Sequence, residues 1–200
     1  MKKILFLLAF TAVIGCKKED TTPIKENEFT LDSKSFKLDQ AWIENWGMQD
    51  GIYNNDLTLV SSTISPLLDE DGILEYYSGK GNLIYLEMYT RIPNSFEVGT
   101  YQFSDSFETN TFDMGIVLAG YNFDEEDGEG QYLEVVDGTV KVIAITEKNI
   151  EVEVNLKTDD GNNLKGYFKG ATKLYDYTSE AQARIKNSLV KKSKKPRFKL

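Results

Sequence analysis

From Phe29 to Ala171 apolar and polar residues alternate with a period of two, and a period near 3.6 hardly occurs. The clearest run sets Ile150, Val152, Val154 and Leu156 on one face and Glu151, Glu153, Asn155 and Lys157 on the other. That is the pattern of a half-buried antiparallel strand, apolar inward and charged outward. Thr139 to Ile145 precedes it behind the turn signal Asp137-Gly138. Leu164 to Lys169 follows the cluster Asp159-Asp160-Gly161-Asn162-Asn163, so the three runs predict a C-terminal meander. Upstream, Phe29–Leu31 and Phe36–Leu38 read as an opening hairpin. Further strands are expected at Trp42–Trp46, Leu57–Ser62, Ile73–Ser78, Asn82–Thr90, Gly99–Phe103 and Ile116–Phe123. About ten short strands at even spacing predict an all-β fold, an antiparallel two-sheet β-sandwich, with a lipocalin-like closed barrel as the alternative.

The ends differ from this body. Lys2 and Lys3 precede eleven uncharged residues, Ile4 to Ile14, and then Gly15 and Cys16. A positive start, a short apolar stretch and a small residue form a secretory signal, too short to span a ~30 Å hydrocarbon core as a helix. Cys16 is the only cysteine, so an exported domain built from this chain has no disulfide and must rely on its core. The predicted organisation is a signal peptide over 1–15, a tether over 16–27, a β-domain over 28–177 and a basic tail over 178–200. In the tail, Ser179-Glu180-Ala181-Gln182 has the form of a capping box, and Ala181, Ile185 and Leu189 predict a short helix to about Val190. The segment from Lys191 on is expected to be disordered. From Cys16 to Tyr177 there are 13 basic and 31 acidic residues, a balance of −18, whereas Thr178 to Leu200 carries +7. The acidic body argues against nucleic acid as a partner.

Val13-Ile14-Gly15-Cys16 resembles the lipobox of bacterial lipoproteins, and Lys18-Glu19-Asp20 resembles the surface-export signal of Bacteroidota lipoproteins. Gly81–Tyr89, Gly99–Phe103, Asp137–Val140, Asp160-Gly161 and Gly166–Gly170 are similar to phrases in small uncharacterised β-rich lipoproteins of that group. The resemblance implies a diacylated (palmitate-type) Cys16, attachment to the outer membrane through acyl chains, and exposure at the cell surface. The alternative is a periplasm-facing position. Two or three chains at ~0.8 kcal/mol per buried CH₂ anchor stably where one does not. No activity comes with the family.

The chain contains no histidine, which removes Ser-His-Asp and Cys-His catalysis and imidazole-built zinc sites, and acylation of Cys16 would consume the only thiol. It has neither a phosphate loop nor a dinucleotide fingerprint. No cofactor is expected. Calcium would be the ion of choice for the acidic stretches Asp69–Asp71 and Asp124–Glu129, but neither follows the EF-hand pattern. Glu151 and Glu153 are expected to be solvated, and Glu87, between Leu86 and Met88, to face outward. Trp42 and Trp46, four apart on one strand face, form with Tyr53 the candidate ligand contact, since sugars stack on such rings. The expectation is therefore a non-enzymatic surface lipoprotein that binds glycan or peptide. Its rivals are an accessory subunit of an envelope complex and a hydrolase built on paired carboxylates.

Overall fold

The computed structural model describes residues 25–70, 74–125 and 128–178. Cys16, Lys18, Glu19, Asp20 and the expected tail helix lie outside the described residues, as does part of each acidic loop. Within them the chain forms twelve strands. These are β1 (Glu28–Leu31), β2 (Lys34–Lys37), β3 (Gln40–Gln49), β4 (Ile52–Val60), β5 (Ser65–Leu68) and β6 (Leu74–Ser78). They continue with β7 (Lys80–Thr90), β8 (Gly99–Phe103), β9 (Thr111–Asn122), β10 (Gln131–Ile145), β11 (Asn149–Thr158) and β12 (Asn163–Asp176). The all-β class stands as expected.

Ten strands share one sheet in the order β11-β10-β8-β9-β7-β4-β3-β12-β1-β2, and β5 pairs with β6 apart from it. Two added ladders, β11 with β12 and β10 with β9, turn the pairing of the large sheet back on itself. Its side chains meet in one core. Ile43, Leu57, Leu59, Ile84, Leu86 and Val117 come from β3, β4, β7 and β9, and Phe29, Val140, Val142, Val152, Val154, Leu156 and Phe168 from β1, β10, β11 and β12. The first group of strands is called here the front layer. β8, β10, β11, β12, β1 and β2 form the back layer.

Alternation explains this division. In β11, Ile150, Val152, Val154 and Leu156 are buried while the residues between them are not. The front layer instead buries both faces. Its outer side packs a second cluster of Trp42, Val60, Ile64, Leu74, Tyr77, Leu83, Tyr85, Ile116, Leu118, Tyr121, Tyr175 and Tyr177, to which β6 contributes Leu74 and Tyr77. Among the described residues the sandwich thus has one covered outer face and one open one.

Three details differ from the sequence reading. The sheet is mixed, because β12 runs parallel to β3 and β8 parallel to β9. β5 was not expected, since its four residues include Pro66, which cannot donate to a ladder. Asp137-Gly138 is not a turn before a strand but lies inside the fifteen-residue β10, paired with Lys157 and Leu156 just after a bulge at Val136. Gly138 has φ +138°, and a Cβ there would lie 2.7 Å from Leu156 Cα, so only glycine fits the close approach of β11.

Candidate functional site

Two places on this scaffold concentrate polar groups, one on each outer face. On the front layer, Glu44 of β3 stands opposite Asp56 of β4, and Asp56 opposite Glu87 of β7. Strand neighbours lie about 4.8 Å apart, so three carboxylates form one row across three strands. All three are buried, at 1, 1 and 3% exposure. The outward position expected for Glu87 is right for its face, but that face is covered.

Hydrogen-bond donors surround the row. Asp56 Oδ2 accepts from the Tyr85 hydroxyl at 2.5 Å and from Trp46 Nε1 at 2.7 Å. Glu87 Oε1 accepts from Asn54 Nδ2 at 2.7 Å and the Tyr89 hydroxyl at 3.1 Å, and Tyr89 also reaches Asp113 Oδ2 at 2.7 Å. Glu44 has less support, a 3.3 Å bond from the Thr58 hydroxyl. Burial accordingly pushes the Glu44 carboxyl up to about 7, with Thr58 opposing. Burial, with Glu44 second, also holds the Tyr77 hydroxyl well above its usual range, and burial with Asp56 does the same for Tyr85. A proton-bearing acid beside a donor-stabilised carboxylate is the pairing that glycoside hydrolysis uses. In this structure the three carboxylates are nearly fully buried, as are the neighbouring Trp42, Tyr77 and Tyr85. The row is a buried polar network.

The aromatic candidates fall partly into this network. Trp42 and Trp46 do share a face, as spacing predicts, and both join the second cluster. Trp42 is 2% exposed and stacks on Tyr77 at 5.7 Å between centroids. Trp46 is half-buried against Tyr177, at 4.7 Å. Tyr53 alternates with Asn54 and so points to the other side of β4, near Met48 and Thr90 in the register. The fold does not bring the three together.

The back layer carries the second place. Across five adjacent strands, Thr100, Lys141, Glu153, Tyr167 and Glu28 stand opposite one another. One step along, Gln102, Thr139, Asn155, Lys165 and Thr30 make a parallel row. These are the outward halves of the alternating strands, and all of them but Gln102 line a groove of about 530 Å³. Glu153 is ion-paired with Lys25, whose ammonium also sits 5.3 Å from the Tyr167 ring centroid. Just beyond, Glu151 accepts from the Tyr167 hydroxyl at 2.9 Å and pairs with Lys169 at 2.9 Å. The Lys169 and Tyr167 bonds hold the Glu151 carboxyl below its ordinary range. Glu151 and Glu153 face outward as expected, but engaged rather than simply solvated.

Sequence reasoning missed Glu44, Asp56 and the groove. Asp56 and Glu44 read as ordinary polar alternation, because nothing local announces that β6 and the residues Tyr175 and Tyr177 cover that face. Sequence alone did orient the outward residues of β11. Which strands flank them is a matter of topology. No family model, curated protein or solved structure matches the chain.

Proposed function

We propose that the chain is a lipid-anchored envelope lipoprotein, exposed at the cell surface, whose β-domain binds a glycan without transforming it. The observation that carries the binding reading is the two-row polar groove of the back layer. It offers hydroxyl, amide, ammonium and carboxylate groups on a rigid sheet, the set that pairs with sugar hydroxyls.

Glycan is favoured over peptide by what the groove offers. An extended peptide gains its affinity from a free strand edge or from apolar pockets for alternate side chains. At this level β10, β11 and β12 are each paired on both sides, so their backbone is used. Most residues along the groove carry a polar side chain, although more of the exposed lining surface is apolar than polar. The hydrolase reading finds its paired carboxylates in Glu44 and Asp56, but their burial supports a structural role.

The test is an array of glycans and peptides probed with the intact domain and with Asn155→Ala. Glycan signal that falls with the substitution supports the reading, and no glycan signal above background refutes it. Anchoring has its own test. Cys16→Ser is expected to abolish acyl labelling, and a variant that still labels and fractionates with the outer membrane overturns the lipobox reading.

A further inference from the structure

We infer that the back-layer groove selects acidic glycans, with Lys141 and Lys165 as the residues that recognise the sugar carboxylates. The inference rests on the glycan reading above and adds the charge of the ligand. It starts from which charges in the groove are already committed. Glu153 is paired with Lys25, whereas Glu28, whose Oε1 accepts from the neutral Ser35 hydroxyl at 3.1 Å, and Glu26 keep their charge on the β1 side. Among the described residues, no carboxylate lies within 4 Å of the ammonium of Lys141 or Lys165. Both side chains are exposed.

Position gives these two cations a meaning beyond surface charge. Lys141 is on β10 and Lys165 on β12, separated by β11 and by one two-residue step. Two strand spacings and one step place them roughly 12 Å apart, close to the length of two sugar rings. Asn155 lies between them on the line a ligand would follow, opposite both Thr139 and Lys165. The acids Glu26 and Glu28 line the β1 side. Carboxylates there accept hydrogen bonds from hydroxyls, which every sugar of the chain supplies. The groove therefore asks for a ligand with hydroxyls along its length and an anion at intervals.

The acidity of the whole body argues the other way, since −18 over 16–177 repels a polyanion. Distance decides between the two effects. At physiological ionic strength the Debye length is about 8 Å, so acids beyond the groove are screened; Glu26 and Glu28 oppose an anion only on the β1 side, while a lysine in direct contact attracts it. Contact recognition of an anion survives within an acidic body, whereas long-range steering does not.

The experiment compares polygalacturonate with its fully methyl-esterified form, which keeps the sugar and its hydroxyls but removes the charge. Binding is measured by calorimetry with the whole domain at 0.15 M salt. The expected result is binding to the acid form and at least tenfold weaker binding to the ester. Lys141→Gln and Lys165→Gln are each expected to weaken binding about tenfold, the loss of one charge-assisted contact. Lys141→Arg and Lys165→Arg should retain it, and Lys80→Gln on the front layer should change nothing. Equal binding of acid and ester, or glutamine variants that bind as the parent does, overturns the inference while leaving glycan binding intact. Binding of neither polymer, nor of alginate and chondroitin sulfate, overturns it; if neutral glycans also fail, the glycan reading falls with it. Both lysines are exposed, and an unchanged unfolding midpoint confirms that each variant is folded.

Discussion

Replacing Glu44 by glutamine should remove a large pH dependence from the stability of this protein. In the fold the Glu44 carboxyl titrates at about 7 because it is buried, against an ordinary value of 4.5. Between those two values the unfolded chain releases the proton and the native state keeps it. Stability is then fully present below pH 4.5, declines as pH rises, and levels off above 7. A difference of about 2.5 pK units corresponds to roughly 3 kcal/mol over that window. Glutamine keeps the shape and can still accept the Thr58 hydroxyl, but it does not ionise. Urea unfolding of both proteins at half-unit steps from pH 4.5 to 8 measures the effect, with Trp42 and Trp46 as fluorescent reporters beside the row. The two are expected to be similar near pH 4.5, and Glu44→Gln more stable by up to about 3 kcal/mol at pH 8. Exposed acids such as Glu151 contribute to both proteins and cancel in the difference. Parallel profiles for the two proteins would refute the argument that burial keeps Glu44 neutral.

The same network makes Asp56 costly to remove. Asp56→Ala removes one acceptor of the buried Tyr85 hydroxyl and of the half-buried Trp46 Nε1, and a loss of about 2–4 kcal/mol is expected in urea unfolding at pH 7. Tyr85→Phe removes a single donor and should cost less, about 1–2 kcal/mol. Gly138→Ala would drive a Cβ into the β11 backbone at a positive φ, so a loss of at least about 2 kcal/mol is expected; an unchanged melting temperature would show that the strand can relax.

Alternation in β11 and β12 made half of this fold readable, because the back layer has one wet face. Leu164 and Phe168 go inward and Lys165 and Lys169 outward in the order that period two requires. The front layer resists the same reading. β7 reads as a nearly continuous apolar run with Glu87 inside it, and only the cover supplied by β6 and by Tyr175 and Tyr177 distinguishes a buried outer face from a solvated one. That cover comes from residues distant in sequence from β7, Leu74 and Tyr77 of β6 and Tyr175 and Tyr177 at and just after the end of β12. The groove was illegible for a related reason. Its rows join residues as distant in sequence as Thr30 and Thr139, and no local signal encodes that β1 and β8 flank the C-terminal meander. Trp42 and Trp46 were placed correctly on one face, and their packing was decided by Tyr77 and Tyr177, from segments far along the chain.

β12 is hydrogen-bonded to β11 and β1 through its first half and to β3 through its second. A strand that belongs to both layers cannot separate from one without loosening the other. The two halves of the sandwich should therefore open together rather than in sequence. In hydrogen exchange, the amides of β12 near Phe168 and Leu174 are expected to exchange at one common rate, that of opening the whole domain. A peripheral pair such as β5 and β6 has no such link to the large sheet and is free to exchange faster.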